Sequence, residues 1–214
     1  MRFHDRRQAG AALAKRLRAR QEKGDLPDPV VLALPRGGVI VADEVARALD
    51  APLDVLVARK IGAPFQPELG VGAIVGDDPP LYDERALDRL GLSKASLEPI
   101  VELERTELHR REQLYRKGRA VPDLTGRTAV VVDDGVATGA TALAALRSVR
   151  LRDPAHVTLA VPVCSPEASR LVQAEADDVV CLHEPAAFMA VGLWYDEFDQ
   201  VTDGEVLEVL SKSP

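Results

Sequence analysis

An α/β chain with a mostly parallel central sheet flanked by helices is what this sequence predicts, and three observations predict it. Short, largely apolar runs stand at residues 30–34, 53–58, 130–132, 157–163 and 178–182. Such runs, without the alternation of a one-sided strand, read as strands buried on both faces. Helix-spaced segments follow most of these runs, and alternating strands and helices build a parallel sheet with its crossovers on both faces. Two of the strand-to-helix turns, residues 35–38 and 133–141, concentrate glycine and polar side chains. In an open α/β sheet such turns share the carboxyl edge, where ligands bind.

Taken in order, residues 5–20 place Ala9, Ala12, Leu13, the stem of Arg16 and Leu17 at helical spacing, with basic residues on the opposite face. Residues 24–29 are a breaker-rich loop. The strand at 30–34 then runs through Pro35-Arg36-Gly37-Gly38 into a helix over 39–49. Paired glycines open backbone conformations closed to other residues and let a ligand approach the main chain. The strand at 53–58 ends in Arg59-Lys60. Residues 61–69, with two prolines, Gly62, Phe65, Gln66 and Glu68, read as a mobile loop. Residues 71–75 and 80–83 read as short strands, hairpinned across Gly76-Asp77-Asp78.

A long, highly charged helix is expected over 93–117, with Leu97, Val101, Leu108 and Tyr115 on one stripe. Its charge marks a solvated face; substrate contact by Arg105, Arg110 or Arg111 is the alternative. Beyond the central motif come a strand at 157–163, a helix at 166–175 with proline in its first turn, and a strand at 178–182. Residues 188–198 hold four of the eight aromatics, and a helical run at 204–210 closes the chain.

Composition narrows the function classes. The hydrophobic share of 46% beside 29% charged residues is ordinary for a globular protein. No apolar run reaches the roughly 18 residues of a membrane span. The polar amino terminus runs straight into a helical pattern, so no secretory signal is read and a soluble, cytoplasmic protein is expected. The net charge of −7 argues against a broad nucleic-acid footprint, so any anion binding must be local. Cys164 and Cys181 lack CxxC spacing and read as buried, reduced thiols. One domain over residues 1–214 is expected, with a helical insertion at about 84–118 and a small hood at about 184–200.

The most informative stretch is Val130-Val-Val-Asp-Asp-Gly-Val-Ala-Thr-Gly-Ala-Thr141. Three β-branched residues form a buried strand, two acids and a glycine-threonine turn follow, and an alanine-rich helix begins. The open amides at that helix start, backed by the helix dipole, suit a phosphate. Asp133 and Asp134 cannot serve the phosphate. Side by side at the end of a buried strand, they cost on the order of several kcal/mol unless a ligand or cation engages them. Carboxylates there suit sugar hydroxyls or hydrated magnesium, so the ligand carries hydroxyls and a phosphate together.

That stretch resembles the phosphoribosyl-pyrophosphate motif of the type I phosphoribosyltransferases, in the version that has alanine at position 137. Leu34-Pro35-Arg36-Gly37-Gly38 resembles the family's pyrophosphate loop, and Arg59-Lys60 the basic pair before its flexible loop. The whole chain is similar to an uncharacterised bacterial branch of that family. The resemblance implies the type I phosphoribosyltransferase fold, with Asp133 and Asp134 holding the ribose hydroxyls. It implies that Ala137, Thr138, Gly139, Ala140 and Thr141 hold the 5-phosphate, and that Arg36, Gly37 and Gly38, aided by Lys60, hold the pyrophosphate. Magnesium is implied, held through ligand and water with no direct protein ligand. Loosely, Phe188 and the segment through Phe198 resemble the hood that stacks on a base in purine-specific members, with core packing as the competing use of those aromatics. A homodimer is a family-level implication.

The activity so implied is transfer of the phosphoribosyl group to a nitrogen nucleophile, a nucleobase among the candidates, with release of pyrophosphate. Alanine at position 137 departs from hypoxanthine-type members, where an aspartate serves as base; Glu68 is the substitute the sequence offers. The alternatives are a non-catalytic phosphoribosyl-pyrophosphate-binding regulator and a hydrolase acting on a phosphorylated sugar or nucleotide. The absence of GxGxxG after the first strand argues against a dinucleotide-binding dehydrogenase.

Overall fold

The computed structural model describes residues 2–212, apart from the side chain of Glu68. Parallel pairing of the apolar runs builds the larger sheet. β1 (Pro29–Ala33), β2 (Leu53–Val55), β6 (Thr128–Val132), β7 (His156–Val163) and β8 (Asp178–His183) lie in the order β2-β1-β6-β7-β8. β3 (Ala58–Ala63), β4 (Gln66–Val75) and β5 (Leu81–Tyr82) form a second, antiparallel sheet. The helices are α1 (Arg6–Gln21), α2 (Gly37–Leu49), α3 (Glu84–Leu90), α4 (Lys94–Arg116), α5 (Ala140–Arg150), α6 (Pro166–Val172) and α7 (Asp203–Lys212).

Period-two alternation along the central strands divides the core between two faces. Val31, Ala33, Val130 and Val132 pack with residues of α1, α2 and α7. Val30, Leu32, Ala129 and Val131 pack with residues of α5 and α6 on the other face. The expected mostly parallel, doubly covered sheet is therefore what the chain forms. Strands β1 and β6 are direct neighbours, with Ala33 opposite Val132, so the turns that follow them leave the same edge side by side.

Most expected elements lie where the sequence puts them. Ser93 caps α4 by accepting from the Ser96 amide, and Leu97, Val101, Leu108 and Tyr115 are the residues the helix buries. In α1, Asp5 accepts from the Gln8 amide at 2.7 Å, a cap worth about 1 kcal/mol. Ala9, Leu13 and Leu17 are buried as expected, but Ala14 joins them, while the side of the helix at Arg16 is exposed. No helix among the described residues is long and apolar enough to cross a membrane.

Two expectations are corrected. The strand at 53–58 breaks after Val55, and Ala58 already belongs to the second sheet. Residues 61–69, read as a mobile loop, form the turn end of a β-hairpin in which Ala63 pairs with Gln66 and Gly62 with Gly70. The prolines and glycines that suggested a loop sit instead at the turn and at a register shift around Gly62. An irregularity of this kind admits the ring of Pro67, since the ladder there has a hydrogen bond to spare. Its glycines are matters of space: a Cβ on Gly62 would lie 2.4 Å from the Pro67 carbonyl oxygen.

Candidate functional site

The two polar turns meet. As the strands end, the Leu34 amide donates to the Val132 carbonyl at 2.8 Å, holding the exits of β1 and β6 together. Gly37 and Gly38 then pass directly under the two acids. A Cβ on Gly37 would lie 1.9 Å from Oδ2 of Asp134, and one on Gly38 would lie 2.9 Å from the Asp133 Cα. Neither glycine has a positive φ. Their smallness makes room for the acids, which corrects the expectation that they supply unusual backbone conformations. The Pro35–Arg36 peptide between them and β1 is cis.

The acids are unequal. Burial, helped by the neighbouring Asp134 charge, pushes the Asp133 carboxyl well above the usual carboxylate range. Its Oδ1 accepts the Asp134 amide at 2.8 Å, a local bond that fixes the first side chain against its own loop. Asp134 is held from outside. Nε of Arg6 donates to its Oδ2 at 2.7 Å, and both side chains are largely buried, at 11% and 14% exposure. The Tyr195 hydroxyl donates to the Asp134 backbone carbonyl at 2.5 Å. Burial, with the charge of Asp134 beside it, holds that phenol protonated.

The third part of the site is the turn into α5. Gly139 takes φ +84°, a conformation that L side chains rarely adopt, and no side chain caps the helix. The first-turn amides of α5 are thus left to an external acceptor, the arrangement that suits an anion. Ser165, at the start of α6, steadies the turn by donating to the Ala137 carbonyl at 2.6 Å while accepting from the Ala168 amide at 3.0 Å. Ala137 and Thr138 are exposed, Ala140 and Thr141 partly so.

Beside this turn opens a cavity of about 360 Å³, lined in part by Ala137, Thr138, Ser165, Glu167, Arg170 and Phe188. The structure thereby brings Phe188 to the turn into α5, although the two are far apart in sequence. Its ring also stacks on Trp194, centroids 6.4 Å apart. Phe3 and Tyr195 are fully packed, so the aromatic segment divides between core and cavity.

The remaining candidates lie further out. Arg36 is placed 3.7 Å from Asp203 at the start of α7, and Asp203 in turn accepts the Tyr115 hydroxyl at 2.5 Å. Arg59 and Lys60 divide: Arg59 donates to Glu104 of α4 at 2.7 Å, whereas Lys60 is exposed on β3 with its stem beside Gly70. Glu68 lies on β4, and its side chain is outside the described structure. Arg105 serves the fold, donating to the carbonyls of Gly76 and Asp78, and Arg110 and Arg111 both pair with Glu107.

Arg6 is the site residue that sequence reasoning missed. No local signal singles it out: Arg7 shares its place in a first helical turn that holds no acid, and the partners of Arg6 are all remote in sequence.

Comparison with known proteins extends this geometry. The family described as the phosphoribosyl transferase domain matches residues 2–197. A protein from Mycobacterium tuberculosis, named provisionally as a phosphoribosyl transferase, is 46% identical over 211 residues in each of two strains. That covers 99% of this chain and 47% of the relative, so the chain spans about half the length of the curated relatives it matches. The crystal structure of TT1426 from Thermus thermophilus is 46% identical, with 98% of each chain covered and a TM-score of 0.81. A hypoxanthine phosphoribosyl transferase from Trypanosoma cruzi shares the fold at 18% identity, covering 95% of this chain and 88% of that one with a TM-score of 0.50.

Proposed function

Because the chain belongs to the phosphoribosyl transferase domain family, we propose that it binds phosphoribosyl pyrophosphate and transfers the phosphoribosyl group to a nitrogen nucleophile, releasing pyrophosphate. One observation carries the reading: two strand-to-helix turns of complementary chemistry, each following a neighbouring parallel strand, lie in contact through Gly37, Gly38, Asp133 and Asp134. A plain phosphate site needs one such turn. A ligand with phosphate groups at both ends of a ribose needs two, with hydroxyl acceptors between them.

In this reading the first-turn amides of α5 and the Thr138 and Thr141 hydroxyls hold the 5-phosphate. Asp133 and Asp134 accept the ribose hydroxyls, and Arg36 and the backbone of Gly37 and Gly38 hold the pyrophosphate, with Lys60 reaching in from β3. The bond from the anomeric carbon to pyrophosphate oxygen breaks as a bond to the acceptor nitrogen forms. Positive charge gathers on the ribose ring, and the adjacent carboxylates stabilise it. Among the described residues no group of three or more His, Cys, Asp or Glu is arranged to hold a metal ion. Magnesium, held through ligand oxygens and water, would neutralise the departing pyrophosphate.

The cavity beside Ala137 is the proposed acceptor site, because a planar ring could lie against Phe188 with its polar edge toward Ser165, Glu167 and Arg170. A nucleobase fits that description. Alanine at position 137 supplies no base there, and Glu68 stays a candidate for that role on the sequence alone.

Two measurements test the reading. Calorimetric titration with phosphoribosyl pyrophosphate and magnesium is expected to show binding that the Asp133→Ala, Asp134→Ala double variant loses; unaltered affinity in that variant would refute the site. Incubation with a panel of nucleobases is expected to release pyrophosphate with at least one. Tight binding without release from any would identify a regulator that keeps the site without the transfer.

A further inference from the structure

Arg6 lies where the two ligand turns touch, and nothing in the reading above gives it a role. Its Nε bonds Oδ2 of Asp134, and an added Cβ on Gly37 would lie 2.9 Å from that same nitrogen. Nη1 donates to the Asp199 carbonyl at 2.8 Å, and the guanidinium carbon sits 3.8 Å from the centroid of the Phe198 ring. A planar cation is thus fixed by a carboxylate, a carbonyl and an aromatic face, and only an arginine can meet all of these at once. For a largely buried arginine this is a heavily specified position. Its partners come from distant parts of the chain: the ribose acid from the end of β6, and the ring and carbonyl from the carboxyl end of the hood segment.

We propose that Arg6 is a positioning residue of the phosphoribosyl-pyrophosphate site, holding the Asp134 carboxylate between the two ligand turns so that it accepts a ribose hydroxyl. The inference rests on the proposed function and deepens it. Arg6 binds one edge of the carboxylate and sets its direction. It also supplies the positive charge that lets a second acid stand beside Asp133. Through Phe198 and Asp199 it ties the ribose acid to the hood, so the amino-terminal helix and the carboxyl-terminal segment jointly fix one side chain of the site.

The groups facing this pair are few and come from identifiable elements. Asp133 lies on the same loop, the Tyr195 hydroxyl approaches from the hood, and Glu205 near the start of α7 senses the Arg6 charge. Burial and the neighbouring Asp134 charge raise the Asp133 carboxyl, and the fixed Arg6 cation opposes them, favouring the ionised form. Ribose hydroxyls need that form as acceptor. Removing the cation shifts the titration of Asp133 further upward, so the loss of ligand affinity is greatest at low pH and recovers as pH rises.

The experiment is titration of phosphoribosyl pyrophosphate with magnesium into wild type, Arg6→Gln and Arg6→Lys between pH 5.5 and 8.5, with melting temperatures measured beside it. The ligand phosphates titrate equally in all three, so the ratio of each variant to wild type is the quantity read. Arg6→Gln is expected to bind about tenfold or more weakly at pH 6, with the deficit shrinking to about threefold or less at pH 8.5. Arg6→Lys, which keeps the charge but not the fork, is expected to restore the pH profile and only part of the affinity. Carboxyl NMR of the ligand-free proteins is expected to show Asp133 titrating at higher pH in Arg6→Gln. A pH-independent loss, or a loss that follows melting temperature alone, would make Arg6 merely structural and overturn the proposal. Wild type that fails to bind phosphoribosyl pyrophosphate would overturn the proposed function and this inference with it, whereas tight wild-type binding with an unchanged Arg6→Gln would overturn this inference alone.

Discussion

The turns into α2 and α5 follow neighbouring parallel strands, face the same edge and contain the same kind of residue, yet glycine does opposite work in them. In the α2 turn, Gly37 and Gly38 have ordinary backbone angles and are small because Asp134 and Asp133 press against them. In the α5 turn, an added Cβ on Gly139 would come no nearer than 3.1 Å to Leu171, and the position is glycine because its φ is +84°. The first turn is specified by a partner remote in sequence, the second by its own backbone. A mutation in the first should therefore act through the acids, and one in the second through the phosphate amides.

Gly37→Ala is expected to have the largest effect. Its methyl would collide with the Asp134 carboxylate and Arg6, so either the acid turns away or the two loops part. Overpacking of this kind costs about 1–3 kcal/mol, and phosphoribosyl-pyrophosphate affinity should fall by about a hundredfold, since the ribose acid is displaced directly. Calorimetry that shows wild-type affinity would erase the distinction between the turns. Gly139→Ala comes next. A left-handed alanine costs about 1–2 kcal/mol, which in a chain of this size lowers the melting temperature by about 2–8 °C. Its affinity loss, about tenfold, should fall equally on phosphoribosyl pyrophosphate and ribose 5-phosphate, because in the proposed function both use the α5 amides. A loss confined to the pyrophosphorylated ligand would exchange the roles of the loops.

Arg36→Ala supplies that crossed test from the other side. Arg36 sits 3.7 Å from Asp203, too loose a pair to matter for stability, so the melting temperature should stay within about 1 °C of wild type. Phosphoribosyl pyrophosphate should bind about tenfold more weakly while ribose 5-phosphate is unaffected. Equal weakening of both ligands would remove Arg36 from the pyrophosphate site.

The same contrast explains what the sequence disclosed. The α5 turn is local: strand, acids, glycine and helix start follow one another, and each is legible from residue type and spacing. The division of β1 and β6 between two core faces followed from equally local patterning. Arg6 was illegible because its meaning depends on Asp134, Asp199 and Phe198, all far from it in sequence. The β3–β4 hairpin was misread for a related reason. Pro64, Pro67 and Gly62 are loop-like one by one, and only pairing with the partner strand shows that they occupy a turn and a register shift. Phe188 reads from sequence as either hood or core, and its place beside Ala137 and Thr138 depends on the course of the segment after β8, which no local signal gives.

Ser165→Ala should have the smallest effect and draws the comparison most finely. Backbone bonds of Val136 to Val163 and Ser165 hold the α5 turn to the end of β7, and the Ser165 hydroxyl pins it beside Ala137, donating to the Ala137 carbonyl and accepting the Ala168 amide. Removing it unpairs two backbone groups, one of them at a helix cap, and should cost about 1–2 kcal/mol of stability. Gly139 keeps its φ without the pin, and the helix dipole is untouched, so the amides still point outward. Affinity for ribose 5-phosphate should therefore fall only about threefold, with the ratio of phosphoribosyl pyrophosphate to ribose 5-phosphate affinity unchanged. If instead the variant loses 5-phosphate binding as completely as a Gly139 substitution does, the conformation of the α5 turn is set by α6 and not by its own glycine. Both turns would then depend on remote partners, and the difference between them would be one of degree.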